Sequence, residues 1–232
     1  MLAPSELSPR VRNVAAGLIQ RSWEWISAVG MVSADDAAGR RFRSMGRASA
    51  LCFPPGAVYG ERWISIGAET VIGPHVSMSV GMPTETRDAD APPVITIGDR
   101  CSIGRANFLV ARCGIDVGDD VMTAPNVYIT DHNHTYDDPD VPIWRQYPEE
   151  APVVIGAGSW LATGVVVLPG TRIGCNVTVA AGSVVSGTVP DRVVIAGTPA
   201  RIVRRFDPDV GWTPARAAHD TPPPPPEWPS AE

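Results

Sequence analysis

The feature that most constrains this chain is a period of six residues. Across its last long block an aliphatic residue recurs at Ile155, Leu161, Val167, Ile173, Val179 and Val185. Four residues after each stands a small or branched one: Ser159, Val165, Thr171, Val177, Ser183 and Val189. The same beat occurs earlier in shifted phase, at Ile66 and Ile72, at Ile97, Ile103 and Leu109, and at Val117, Thr123 and Ile129. Glycine often follows the aliphatic residue. A helix cannot hold this phase, because its faces return with a different period. A short strand alternates inward and outward, so a turn at every sixth residue keeps one slot inward at each corner. Three such strands close a triangular coil of about eighteen residues, and coils stacked roughly 4.8 Å apart pair their backbones face by face. The hexads named make nearly five coils, a prism of roughly 20–25 Å at that spacing. A β-sandwich also uses short strands, but its loops vary in length and lose the phase.

The solenoid grammar spans residues 58–205 and is interrupted twice, at about 78–93 and 131–153; loops of that length in a repeat array usually carry function. Before it, residues 1–57 form a helical or irregular segment. Val11, Val14, Ala15, Leu18, Trp25, Ile26 and Val29 have the spacing of one amphipathic helix, and Ser33 with Asp36 predicts a second, short helix through Met45. The arginines Arg40, Arg41, Arg43 and Arg47 read as a solvated face. After it, residues 206–232 read as a proline-rich tail whose run Pro222–Pro226 cannot join a sheet.

Composition narrows the chemistry. All 19 cations are arginine, so lysine Schiff-base chemistry is excluded, and the net charge of −6 offers no basic stripe for nucleic acid. Cys52, Cys101, Cys113 and Cys175 show no C-x-x-C spacing, as expected of reduced thiols. Met1–Leu7 lacks the basic start of a secretory signal, and the apolar run 153–173 is broken by glycines, so neither export nor a membrane span is expected. A cytoplasmic protein with small-molecule partners is the reading that follows.

On its six-residue beat the chain resembles the hexapeptide-repeat acyltransferases. The resemblance implies a left-handed parallel β-helix, against the usual right-handed sense of parallel crossovers, and a homotrimer with sites between subunits. The segment Ala124-Pro125-Asn126-Val127-Tyr128-Ile129-Thr130-Asp131-His132-Asn133-His134 resembles the catalytic segment of the sugar and xenobiotic O-acetyltransferase branch. There a histidine takes the proton of an acceptor hydroxyl that attacks the thioester of an acyl-coenzyme A, and His132 holds that position. Histidine suits the task, since neutral imidazole accepts a proton near neutral pH. His134, two residues on, is the second candidate, and Asp131 is expected to face away from both.

Ala106-Asn107-Phe108 resembles the segment in which an asparagine holds the acceptor, although Asn107 also falls in a small inward slot where it could ladder inside the coil. Gly158-Ser159-Trp160-Leu161-Ala162 resembles the strand that lines the groove for the pantetheine arm of acetyl-coenzyme A, and alternation turns Trp160 outward. By the same resemblance Thr163, Ala181 and Ser186 contact the cofactor, and Arg201 and Arg204, in the segment 197–204, meet its phosphates. Gly187 stands where some relatives carry lysine. The oxyanion would take a backbone N–H from the turn at Ala162 and Thr163.

Rival readings share the solenoid. Asp131, His132, His134, Asp137 and Asp138 crowd one loop, and β-helical carbonic anhydrases bind zinc through three histidines. Only His75 and His219 lie elsewhere, and the loop pair is too close for that pattern, so no metal is expected. A non-catalytic scaffold and N-acylation of an amino sugar are two further rivals.

Overall fold

The computed structural model describes residues 8–81, 88, 90–147 and 149–215. The stretch Met1–Leu7, residues 82–87 and 89 of the first interruption, His219 and the polyproline run lie outside the described residues.

The chain winds into a left-handed parallel β-helix of three faces. The first face stacks seven strands: Ser44–Met45, Ile64–Ile66, Ile95–Ile97, Ile115–Val117, Val153–Ile155, Arg172–Ile173 and Thr188–Val189. The second carries seven in parallel from Ala50–Leu51 through Val71–Ile72, Ser102–Ile103, Met122–Thr123, Trp160–Leu161 and Thr178–Val179 to Val193–Gly197. The third carries six: Val58–Tyr59, Ser77–Val80, Phe108–Ala111, Tyr128–Thr130, Val166–Val167 and Val184–Val185. Seven levels make a column of about 30 Å, longer than the hexads foretold. Met45 and Leu51 already keep the six-residue step, and Leu51 is buried, but Phe53-Pro54-Pro55 breaks it. The coil therefore begins at Ser44, upstream of residue 58.

The beat is the core. Every aliphatic position named in the last block is buried, from Ile155 to Val185, and so are all six partners from Ser159 to Val189. The polar partners are satisfied between coils: the Ser159 hydroxyl donates to Gly174 O at 2.9 Å and accepts from Val177 N–H at 3.0 Å. At the vertices the backbone passes through left-handed conformation, even at non-glycine residues such as Arg100 (φ 55), Asp120 (φ 57), Asn126 (φ 62) and Asn176 (φ 54). Each costs on the order of 1–2 kcal/mol, which the interlocked ladder offsets.

The glycine after the aliphatic residue has a steric cause. A Cβ at Gly156 would lie 2.4 Å from the carbonyl carbon of Gly174 in the next coil. Gly156→Ala should therefore cost about 1–3 kcal/mol by overpacking, read as a melting temperature several degrees lower. Gly17→Ala, with nothing within 4 Å of its Cβ, should not lower it.

The flanks depart from expectation. The first helix forms as Pro9–Val29, but none of its residues is buried; Trp23 meets Phe53 with ring centroids 6.3 Å apart. The second helix does not form. Both the N–H and the hydroxyl of Ser33 donate to one Asp36 oxygen, at 2.7 and 2.9 Å, closing a turn. The chain then runs through a single 3-10 turn, Gly39–Arg41, while Val32–Ser33 pairs antiparallel with Ala50–Leu51. The arginines expected to be merely solvated pair: Arg41 with Glu61 at 2.6 Å and Arg47 with Glu69 at 2.8 Å. At the far end the sheet continues past residue 206, because Ala200–Asp207 returns antiparallel on Val193–Gly197 and Gly211–Pro214 adds a further strand. Among the described residues no helix is long and apolar enough to cross a membrane.

Candidate active site

The strand Tyr128–Thr130 ends on the third face with Ile129 inward, and one more alternation turns Asp131 inward as well. Its side chain is fully buried. The carboxylate accepts the backbone N–H groups of Arg112 at 2.9 Å, Cys113 at 2.8 Å and Gly114 at 2.6 Å, all from the vertex one coil before. It also meets His132 Nδ1 at 2.8 Å. Burial alone would raise the Asp131 carboxyl, but the bond to His132 and the three backbone donors outweigh it and hold the group below the usual carboxylate range. Asp131 therefore does not face away from the site. It faces the core and grips the imidazole from behind.

His132 is the first residue of an arm built from the second interruption. His132–Asn133 pairs antiparallel with Glu149–Glu150. Arg112 Nε donates to Glu150 Oε1 at 2.6 Å, tying the returning strand to the same vertex that holds Asp131. The His132 ring is 19% exposed, enough for one edge to reach solvent while Nδ1 is engaged. With Asp131 ionised, the favoured tautomer places the proton on Nδ1 and leaves Nε2 as acceptor. His134 stands exposed farther along the arm. Burial, with Asp131 beside it, pushes the Cys113 thiol up to about 11, so no thiolate competes here near neutral pH.

The other anticipated residues fall into separate places. Trp160 points outward from the second face, 41% exposed. It stands in register with Met122 below and Thr178 above, then Val194, then Arg204 on the returning strand. Thr163 and Ala181 are exposed on the vertex between the second and third faces, one above the other, with Gly182 N–H donating to Thr163 O at 2.9 Å. Arg201 pairs with Ala196 at the top of the second face. A Cβ at Gly182 or Gly187 would meet nothing within 4 Å, so the flank of these vertices is open. Ser186 is exposed on the vertex from which the arm leaves, two coils on. The Ala162 N–H is spent on Val179 O at 3.0 Å, which leaves Thr163 N–H as the one of that pair able to meet an oxyanion.

Asn107 is not at the surface. It is fully buried, its Oδ1 accepts Val127 N–H at 2.8 Å and its amide nitrogen donates to Thr123 Oγ1. Asn107 fills an inward slot as Ser159 and Ser183 do, so its amide is not available to an acceptor. Among the described residues no three of His, Cys, Asp and Glu gather as a metal ion would need; the Asp131 carboxylate, foremost in that loop, is already taken.

Topology separates the two halves of the anticipated site. The arm leaves the vertex between the third and first faces, and Trp160 lies on the second face, opposite that vertex. One column of a chain cannot bring them together.

No family model matches the chain. It is 37% identical over 127 residues, 52% of this chain and 65% of the other, to WbbJ of Escherichia coli K12, named for O-acetyl transfer in lipopolysaccharide biosynthesis. It is 34% identical over 128 residues, 50% of this chain and 60% of the other, to the galactoside O-acetyltransferase of the same strain. The chain thus spans less than two thirds of the length of these relatives. Among solved structures, a point mutant of AntD, an N-acyltransferase from Bacillus cereus in complex with dTDP and coenzyme A, superposes with a TM-score of 0.63 at 19% identity, covering 78% of this chain and 92% of that one. That likeness concerns the fold alone. With its six-residue core, its three-faced coil and relatives named as O-acetyltransferases, the chain is similar to the hexapeptide-repeat acyltransferases.

Proposed function

We propose that this protein is a cytoplasmic homotrimer that transfers an acyl group, acetyl in the simplest case, from coenzyme A to a hydroxyl of a sugar or glycan. The observation that carries the reading is the His132 ring held by the buried Asp131 at 2.8 Å while its side chain stays partly exposed. A sugar hydroxyl is a poor nucleophile, and His132 Nε2 takes its proton as the oxygen attacks the thioester carbonyl. The tetrahedral oxyanion draws on the Thr163 N–H. Collapse breaks the carbon–sulfur bond, and the imidazolium returns its proton to the leaving thiolate. Asp131 stays ionised throughout and stabilises the charged ring.

The acyl-coenzyme A lies along the outward row from Trp160 to Arg204, with Thr163 and Ala181 at its edge and Arg201 near its phosphates. Since that row and His132 are on opposite sides of one column, the site takes His132 from one subunit and Trp160 from another, and Ser186 flanks the His132 side. Asn107 has no part in it, and His134 borders the acceptor.

The direct test is acetyl-coenzyme A turnover, corrected for hydrolysis, against a panel of sugar hydroxyl acceptors with wild type beside His132→Ala. Absence of transfer to every acceptor, or equal rates for the two proteins, overturns the reading. The shared site has its own test. Trimers reassembled from a mixture of His132→Ala and Trp160→Ala chains should regain activity that neither variant shows alone, because some interfaces then hold both native residues. A mixture no more active than its parents places the whole site within one chain.

A further inference from the structure

The arm that carries His132 ends in aromatic rings that proton transfer does not require. Tyr136 is 55% exposed, Trp144 72% and Tyr147 76%. A folded surface normally covers such apolar area or uses it. Trp144 and Tyr147 are also held in place. The Arg145 guanidinium lies 4.9 Å from the Trp144 ring centre, and that of Arg112 lies 5.8 Å from Tyr147. Thr135 Oγ1 donates to Tyr147 O at 2.8 Å. The Gln146 amide closes the tip, donating to Asp138 O and Val141 O, both at 2.9 Å, and accepting Asp138 N–H at 3.2 Å.

What surrounds the rings identifies the occupant. Asp137, Asp138 and Asp140 stand exposed on the stretch between Tyr136 and Trp144, and Asp138 is tied to Gln146, the neighbour of Tyr147. Protein interface cores are depleted of aspartate, whereas a pyranose presents an apolar C–H face rimmed by hydroxyl donors, which fits a flat ring flanked by carboxylates. Trp and Tyr supply rigid, amphipathic area at low entropic cost. Tyr147 is three residues from Glu150, the pairing partner of His132, and Trp144 is six away. They stand within about 10 and 20 Å of it along the chain, the reach of a few linked sugars.

We infer that the arm is a glycan-binding platform, which takes a neutral oligosaccharide or polysaccharide chain across Tyr147 and Trp144 and leads one of its hydroxyls to His132. Only in calling that glycan the acceptor does this rest on the transferase reading.

The test separates the two. Labelled wild-type protein without acyl-coenzyme A is applied to an array of defined neutral oligosaccharides of graded length, beside Trp144→Ala, Tyr147→Ala and Trp144→Phe. Binding should rise from mono- to oligosaccharide, fall at least tenfold in both alanine variants and be largely retained in Trp144→Phe. In turnover assays, the advantage in kcat/KM of long over short acceptors should shrink by a similar factor in Trp144→Ala. Failure of wild type to bind any oligosaccharide overturns the inference, as does binding indifferent to both rings. A change of oligomeric state in Trp144→Ala overturns it too, since the rings then serve subunit contact. Glycan binding without acyl transfer would sink the transferase reading alone; transfer without ring-dependent binding would sink the platform alone.

Discussion

His132→Ala is expected to lower kcat/KM for the proposed acetyl transfer by about 10²–10⁴-fold, the usual worth of a positioned general base, while the fold, the oligomeric state and the proposed coenzyme A binding persist. The ring is partly exposed and sits at the arm's root rather than in the coil. Its loss removes one hydrogen bond to a charged group, about 1.5–3 kcal/mol. Asp131 keeps its three backbone donors, so the vertex holds. Thermal melts and coenzyme A titration check the intact fold, and acetyl transfer to the best acceptor of the panel checks the rate. His134→Ala serves as the comparison. His134 has no carboxylate behind it among the described residues, and its loss should cost at least tenfold less than that of His132. The reverse ranking would move the base to His134.

The core was legible because burial in this fold follows a fixed step. Ile155 and every sixth residue after it to Val185 are inward for one geometric reason, and no tertiary contact is needed to foresee it. Where the step carries polar residues it is equally strict, as at Asn107, and there a surface role suggested by resemblance gives way to the inward slot. The same alternation places Asp131 beside Ile129 on the inner side, a signal present in the sequence. It was obscured because a carboxylate is not expected in an apolar column. The three N–H groups of the preceding vertex, with the bond to His132, make that burial tolerable. These donors lie 17 to 19 residues away in the chain, so the pairing depends on how coils stack and not on local sequence. The short helix foretold from Ser33 and Asp36 failed for the opposite reason. The local bond forms, but a Cβ at Gly39 would lie 1.8 Å from Ser33 O, a turn too tight for a helix to follow.

Asp131→Asn tests whether the pair sets the chemistry or only the fold. The substituted side chain has the same shape, and its one carbonyl oxygen is drawn to the side where Arg112, Cys113 and Gly114 donate. Its NH₂ then faces His132 Nδ1, which must accept, and the ring proton moves to Nε2. That nitrogen can no longer take a proton from a hydroxyl. A tautomer fixed the wrong way costs up to about 10⁴ in rate, so Asp131→Asn should approach His132→Ala in activity while remaining folded. Asp131→Ala is the harsher change, because it leaves three buried donors without an acceptor, and it should lose about 3–5 kcal/mol. The carboxyl also leaves a mark on stability against pH. Its pKa in the fold is held below the usual range, so its contribution is complete above the unfolded value of about 4 and is lost as pH falls through the folded one. Denaturant melts below about pH 4 should therefore show wild type losing stability more steeply than Asp131→Asn, which has no carboxyl to titrate there. Parallel acid limbs together with a fully active Asp131→Asn would mean that the carboxylate neither bears charge in the fold nor sets the tautomer. The general-base assignment of His132 would then have to stand without the geometry that most supports it.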